Sequence, residues 1–513
     1  MQVTVNRKDT KFYPDASRKI ARFLYTGDER AISTIRSVLE MSGDLASQTL
    51  SAVLRDYSLR HRNISKIFEK HFKWVAHLLK QLEIEPDSLE LSQKILIGSY
   101  FTMEYSIEAA AFFNPSIVEH PDQSETGMEE KRVILSFRAT GEGHISSIVF
   151  RTGVMDKNNN LSLEPVGKML EEAEHIRRHV YDKKSFYSKL NEMKDIHAII
   201  PSGLILDKLN DKFTYGELRD CIKEARKSLH LTGEKDILFK QITWLASSHY
   251  ELEFSLDTNI SERVIFPVSV NERNGIEDAR FVRFTDDDGS SVYYATYTAY
   301  DGATVLPKML ETKDFYHFRI MPFHGEIAQN KGMALFPRKV NGKYAMLCRL
   351  DGYNNYIAFS DNISIWRKAT LLQQPKFPWE FVQIGNCGSP IETSEGWLVI
   401  THGVGPMREY ALGASLLDLQ NPEKELGRLK SPLLMPNANE REGYVPNVVY
   451  SCGSMIHNDD LIIPYAMSDY ASTYATVNLK ELLNELKKTK YPGAINRPVK
   501  FPWLSSKQYP HNV

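Results

Sequence analysis

The chain has 513 residues, 42% of them hydrophobic and 25% charged, and its 63 Lys and Arg nearly balance 65 Asp and Glu for a net charge of −2. This is the balance of a globular protein, and it excludes disordered, collagen-like and mucin-like chains. No excess of positive charge draws it to a polyanion, so no nucleic-acid partner is expected.

The opening MQVTVNRKDTKFYP contains no apolar run of the kind that directs export. Nor does any later segment approach the roughly 18 apolar residues needed to cross a bilayer. A cytoplasmic location without membrane contact is therefore expected. Cys221, Cys348, Cys387 and Cys452 lie far apart and form no CxxC pair, so neither a zinc knuckle nor a disulfide framework is indicated.

Residues 1–110 read as a helical N-terminal region. Ile32, Ile35 and Leu39 form one apolar stripe, Leu50, Val53, Leu54 and Tyr57 another, and Ile64, Ile67, Phe68, Phe72, Val75, Leu78 and Leu79 a third, with Asn63 at the N-cap position of the last. Such stripes normally pack against protein. A homodimer joined through these helices is one use for them.

From about 110 the apolar period shortens to two. Arg132–Phe137, Ser291–Thr298, Lys343–Leu350, Gly396–His402 and Asp460–Met467 are alternating runs that each follow a charged or Gly-bearing turn. The last four recur about 50 to 60 residues apart, the spacing of propeller blades. The expected fold is mainly β: a five-bladed β-propeller over 111–490, interrupted by a helical insertion at about 166–250 and followed by a surface tail at 491–513. Asp286, Asp287, Asp288 and Gly289 lack the downstream Glu of a calcium loop and sit where a hairpin needs its turn.

A propeller brings the starts of its innermost strands to one axis, so polar residues distant in sequence converge there. In NERNGIEDARFVRF, Glu277 and Asp278 adjoin before an alternating strand, and alternation lets only one of them face the pocket. Asn114, Arg138, His144, Asp301, Lys331, Arg349, Glu392, His402, Asn447 and Asp469 lie in or beside Gly- and Asn-rich stretches at other strand ends. Any one of them could be a turn residue; together, carboxylates, amides and cations suit the hydroxyls of a sugar, and cleavage of a glycosidic bond needs a carboxylic acid for the departing oxygen. His317, His324, His402 and His457 have no metal-binding spacing, so no metal or other cofactor is expected.

The motifs NGIEDAR, FNP, SFRA, NKGMALFPRKVNGKYAML, GNCGSPIETSEGWLVITHGVG, LGASLLDLQNP, EGYVPNVVYSCG and PYAMSD run in order over about 110–480. In them the chain resembles glycoside hydrolase family 130, the inverting β-mannoside phosphorylases and β-1,2-mannosidases, and its extra helical portions are like those of the family's long branch. The resemblance implies the five-bladed propeller, with Asp278 as the general acid, in some members acting through a sugar hydroxyl. It implies Asn114, Arg138 and Asp469 as residues that hold the mannose, with His144 a looser match. Lys331 and Arg349 fall where phosphorylases bind phosphate, the co-substrate that would then be required, with His402 on the same leaving-group side.

Glu392 departs from this pattern. It stands in PIET, where phosphorylases carry Lys or Arg, and a carboxylate there would repel phosphate and could activate water as a general base. Hydrolysis of β-1,2-mannosidic bonds in manno-oligosaccharides is therefore favoured, with phosphorolysis to α-mannose 1-phosphate as the alternative. Two other readings are a three-carboxylate propeller of the arabinanase and fructosidase type, and a non-catalytic propeller that binds glycans or proteins.

Overall fold

The computed structural model describes residues 3–488, apart from 177–179, 193–206, 229–238, 240–241, 244, 247, 270–271 and 303–304. Within the N-terminal region, helices α1 (Asp28–Leu39), α2 (Gly43–Ser58) and α3 (Ile64–Val75) carry the three apolar stripes, the third running on into a 3-10 helix at Ala76–Leu82, and α4 (Leu91–Tyr100) is a further helix. Ile35, Phe72, Val75, Leu79, Leu96 and Ile97 form their shared core. Helices α3 and α4 come so close that a Cβ on Gly98 would lie 1.8 Å from the Phe68 carbonyl oxygen, so only glycine fits that crossing. Asn63 stands at the N-cap with φ 50° but makes no side-chain cap bond. The apolar face of α3, rather than its cap, holds this helix.

Among the described residues, five sheets of four to six strands follow, almost wholly antiparallel, with two short two-stranded ladders beside them. The inner strands are Ala111–Glu119, Gly275–Thr285, Ala334–Leu335, Gln383–Asn386 and Val449–Tyr450. Each of the five alternating runs forms most or all of the strand next to an inner one: Lys131–Thr140, Ser291–Tyr300, Tyr344–Cys348, Gly396–Val404 and Asp460–Met467. The hairpin turn at Asp286–Ser290 joins the first two strands of the second sheet.

The sheets touch in succession. Ala111–Glu119 packs on Gly275–Thr285, Ser291–Tyr300 on Ala334–Leu335, Tyr344–Cys348 on Gln383–Asn386, and Tyr410–Leu417 on Val449–Tyr450. Asp460–Met467 then packs on Ala111–Glu119, so the fifth sheet meets the first. A separate apolar cluster fills each of these junctions. The outer edge of the fifth sheet is Val5–Arg7, paired with Ala475–Val477, so the first residues of the chain complete its last sheet. No helix among the described residues is long and apolar enough to cross a membrane.

The insertion leaves after the first sheet and returns to it: Arg263–Ile265 pairs with Ile148 and Val149. Its described helices include Lys183–Glu192 and Tyr215–Ser228, and strands at Glu174–Ile176 and Tyr250–Glu253 extend the second sheet. The tail at 491–513 lies outside the described residues.

A buried ion network ties these parts together. Glu108 accepts from Arg18 Nε at 2.7 Å and from Arg151 Nη2 at 2.8 and 3.0 Å, while Arg18 also donates to the carbonyls of Gly167 and Ser261. Removing one charge from such a cluster strands the others, which costs about 3–5 kcal/mol. Glu108→Gln is expected to lower the unfolding free energy by about that amount, read as a lower melting temperature, whereas Glu129→Gln on an exposed turn leaves it unchanged.

Candidate active site

Two left-handed residues build the centre of the site. In Ala111–Glu119 the pairing skips between Phe113 and Ser116 and Asn114 has φ 50°; in Gly275–Thr285 it skips between Glu277 and Arg280 and Asp278 has φ 54°. Non-glycine residues held there cost on the order of 1–3 kcal/mol each and re-aim the strand at a bulge. The Asn114 amide donates to Asp278 Oδ1 at 2.7 Å.

The bulge overturns the expectation that only one of the neighbouring acids faces the site. Arg138 lies 3.6 Å from Asp278 and donates to Glu277 at 2.9 Å, so both carboxylates meet one guanidinium. Ser146 accepts from Arg138 Nε at 2.9 Å. Lys331 Nζ donates to the other Glu277 oxygen at 2.7 Å, placing this predicted phosphate ligand beside the acid and already partnered.

The remaining residues are spread over several of the sheets and the turns between them. Asp469, next to Ser468 and likewise at positive φ, is close enough to Arg138, Asp278 and Glu277 to feel their charges. Arg280 donates to the Tyr450 hydroxyl at 2.6 Å and braces the Asp278 carbonyl at 3.3 Å. Arg349 follows Tyr344–Cys348, with its Cβ 3.5 Å from where a Cβ on Gly332 would stand and its buried Nε unpartnered. His144, at φ 59°, stands beside Tyr444, from the loop that precedes Val449–Tyr450, their rings 5.6 Å apart. Asp301 follows Tyr300, the register partner of Gly275, so it belongs to the same end of the sheet, and its carbonyl accepts from Arg273. Asn447 accepts from Arg441 at 2.8 Å.

His402 is only 2% exposed. Its Nε2 donates to the Gln383 amide oxygen at 2.9 Å and it lies 3.2 Å from the Asn386 carbonyl, and burial, then Arg349 and Arg280, push its pKa down to about 3. It is a neutral support behind the site, not a cation facing a ligand.

Glu392 is not at this centre. It pairs with Trp397 on Gly396–Val404, five residues from His402, which is about 16 Å along a strand. Arg338 clasps its carboxylate at 2.6 and 2.7 Å while lying over the Trp397 ring. There it lines a cavity of about 400 Å3 with Glu119, Arg283, Ser389 and Ser454, at the far ends of the inner strands. The expected placement of a general base opposite Asp278 is thus corrected: the strand that carries Glu392 leads away from the acid.

The charges at the centre set two carboxyls apart. Burial pushes Asp278 up, but Arg138, Arg280, the Asn114 amide and Lys331 outweigh it and hold this carboxyl below the usual range. Asp469 is pushed up to about 7 by burial, with Asp278 and Glu277 adding to the rise and Arg138 and Arg408 opposing it. Below about pH 7 the site therefore holds a proton on Asp469 while Asp278 carries a negative charge. Glu277, Ser146, Tyr444 and Arg408 were not singled out by sequence reasoning as site residues; Glu277 alone carried a signal, its place beside Asp278.

The family described as beta-1,4-mannooligosaccharide phosphorylase matches residues 251–488. A 1,2-beta-oligomannan phosphorylase of Thermoanaerobacter sp. (strain X514) is 36% identical over 230 residues, 42% of this chain and 74% of that protein. The chain belongs to glycoside hydrolase family 130. It is accordingly an enzyme of the mannoside phosphorylase and glycoside hydrolase type. A Beta-1,2-mannobiose phosphorylase of Listeria innocua is 31% identical over 243 residues, 46% of this chain and 65% of that protein. The solved structure of a Listeria innocua Beta-1,2-Mannobiose phosphorylase with beta-1,2-mannobiose is 22% identical, covers 74% of this chain and 92% of its own, and superposes with a TM-score of 0.44. Within this family member the sheet that supplies Asn114 and Arg138 precedes the 251–488 match.

The raised Asp469 carries a stability consequence. Its folded pKa of about 7 lies above the ordinary 3.8, so the folded state binds the extra proton between those values and loses stability as pH rises through them. Asp469→Asn removes the titrating group. Its melting temperature is expected to exceed that of the unsubstituted protein at pH 8 and to match it near pH 3, as thermal scans at the two values will show.

Proposed function

We propose that this enzyme phosphorolyses β-mannosidic bonds in manno-oligosaccharides, β-1,2-linked ones foremost, taking inorganic phosphate as co-substrate and inverting to α-mannose 1-phosphate. The five sheets are read as the blades of a β-propeller, with the reaction at the axial end where Asp278 lies. The 1,2-linkage is favoured by the activities of the Thermoanaerobacter and Listeria relatives.

The placement of Glu392 carries this reading over hydrolysis. With Glu392 held by Arg338 at the far end, the acids beside Asp278 are already engaged: Glu277 is ion-paired twice, and Asp469, pushed up to about 7, is only partly ionised at neutral pH. Phosphate needs no base, since it is already an anion. Arg349, with a buried unpartnered donor, and Lys331 suit its charge.

In the reaction a phosphate oxygen bonds to the anomeric carbon, the carbon–oxygen bond to the leaving sugar breaks, and its electron pair stays on that oxygen. Asp278 supplies the proton the oxygen takes, directly or through a sugar hydroxyl. Asn114, Arg138 and Asp469 hold the mannose. Phosphate arriving among the cations offsets the charges that keep Asp278 ionised, and a bound sugar excludes water; both effects raise the pKa of Asp278. Binding of the co-substrate thereby readies the acid.

Incubation with β-1,2-mannobiose is expected to yield mannose 1-phosphate only when phosphate is added, and Glu392→Gln is expected to leave that rate unchanged. Mannose released without phosphate, and lost in Glu392→Gln, would instead establish hydrolysis.

A further inference from the structure

Between the N-terminal helices and the outer edge of the first sheet lies a second cavity, of about 530 Å3. Helix α3 contributes Lys66, Lys70 and Trp74 to one wall, and Glu172 and Phe266 belong to the other. Trp74 is 46% exposed. Phe23 meets its ring edge-on at 4.9 Å and fixes its plane, while Lys70 Nζ lies 5.3 Å from its centroid.

Lys70 and Arg22 act on the charge of Glu172 through space, but these groups are not locked together by hydrogen bonds or close ion pairs. Arg22 lies over the rings of Tyr105 and Phe266 at 4.6 and 4.5 Å, and among the described residues neither its side chain nor that of Glu172 has a hydrogen-bond or close ion-pair partner. A packed seam would have covered Trp74 and paired these charges. An exposed indole beside an unpaired guanidinium and carboxylate offers a sugar ring both an apolar face and planar hydrogen-bonding groups.

The cavity lies beside the active site. Phe113, Arg138, Ile148 and Ile265 form one row across the first sheet, three strand spacings or about 14 Å, and Phe266 is the next residue. Tyr105, beneath Arg22, donates its hydroxyl to the Glu142 carbonyl at 2.7 Å, in the turn that carries His144.

We infer that this cavity is an outer glycan-binding site, which holds a distant part of an oligomannoside or polymannoside while another part of the same chain is cleaved at Asp278. The inference rests on the proposed function for the identity of the sugar. It also gives the N-terminal helices a duty: they bind long substrate.

The test is calorimetric titration, without phosphate, of the full-length Asp278→Asn protein, which turns substrate over too slowly to disturb the measurement, with β-1,2-mannobiose and with a long β-1,2-mannan fragment. The fragment is expected to bind about tenfold or more tighter than the disaccharide, because a second contact on one chain adds avidity. Adding Trp74→Ala or Glu172→Gln, both at solvent-open positions, should remove that excess and leave disaccharide affinity unchanged. Equal affinity for the two sugars, or a fragment affinity that neither substitution lowers, would overturn the inference. Absence of mannose 1-phosphate from the unsubstituted enzyme would instead overturn the functional reading, while the titration still reports on the cavity.

Discussion

The contact between Asn114 and Asp278 is the constraint on which the site depends. Each residue sits in the left-handed region at a bulge of an inner strand, and the two strands face each other across the junction of the first and second sheets. Neither conformation is favourable alone. The packed sheets on both sides hold them, and in return the bulges turn an amide, two adjacent carboxylates and the guanidinium of Arg138 onto one point.

That convergence also determines the electrostatics. Four groups stabilise the charge on Asp278, while Asp469, in the same cluster of charges, keeps its proton to about pH 7. A free site of this kind holds its acid discharged and fills with charge-compensating ligands before it works. A co-substrate anion fits that scheme better than water, because it weakens the grip of the cations on Asp278 at the moment the proton is needed.

Much of the architecture was legible in the sequence because period-two alternation and turn residues are local signals. All five alternating runs lie beside inner strands, and Asn114, Arg138, Lys331 and Asp469 do gather near Asp278. What escaped were non-local facts. Strict alternation concealed that a bulge brings Glu277 and Asp278 to the same side, and a three-residue strand, Val5–Arg7, gave no sign that it completes a sheet some 470 residues later. Glu392 stands only a few residues beyond the Gly385–Asn386 end of its inner strand, yet the chain carries it to the far end of the sheet, into the grip of Arg338, 54 positions away in sequence. Its motif position spoke of chemistry; its direction along the strand decided otherwise.

The central claim is that Asp278 gives a proton to the departing sugar oxygen. It is tested most directly by comparing Asp278→Asn on β-1,2-mannobiose and on an aryl β-mannoside whose leaving group needs no proton, both with phosphate present. The account predicts a loss of about 10²–10⁴-fold on the disaccharide and a far smaller loss on the aryl substrate. An equal loss on both would contradict it.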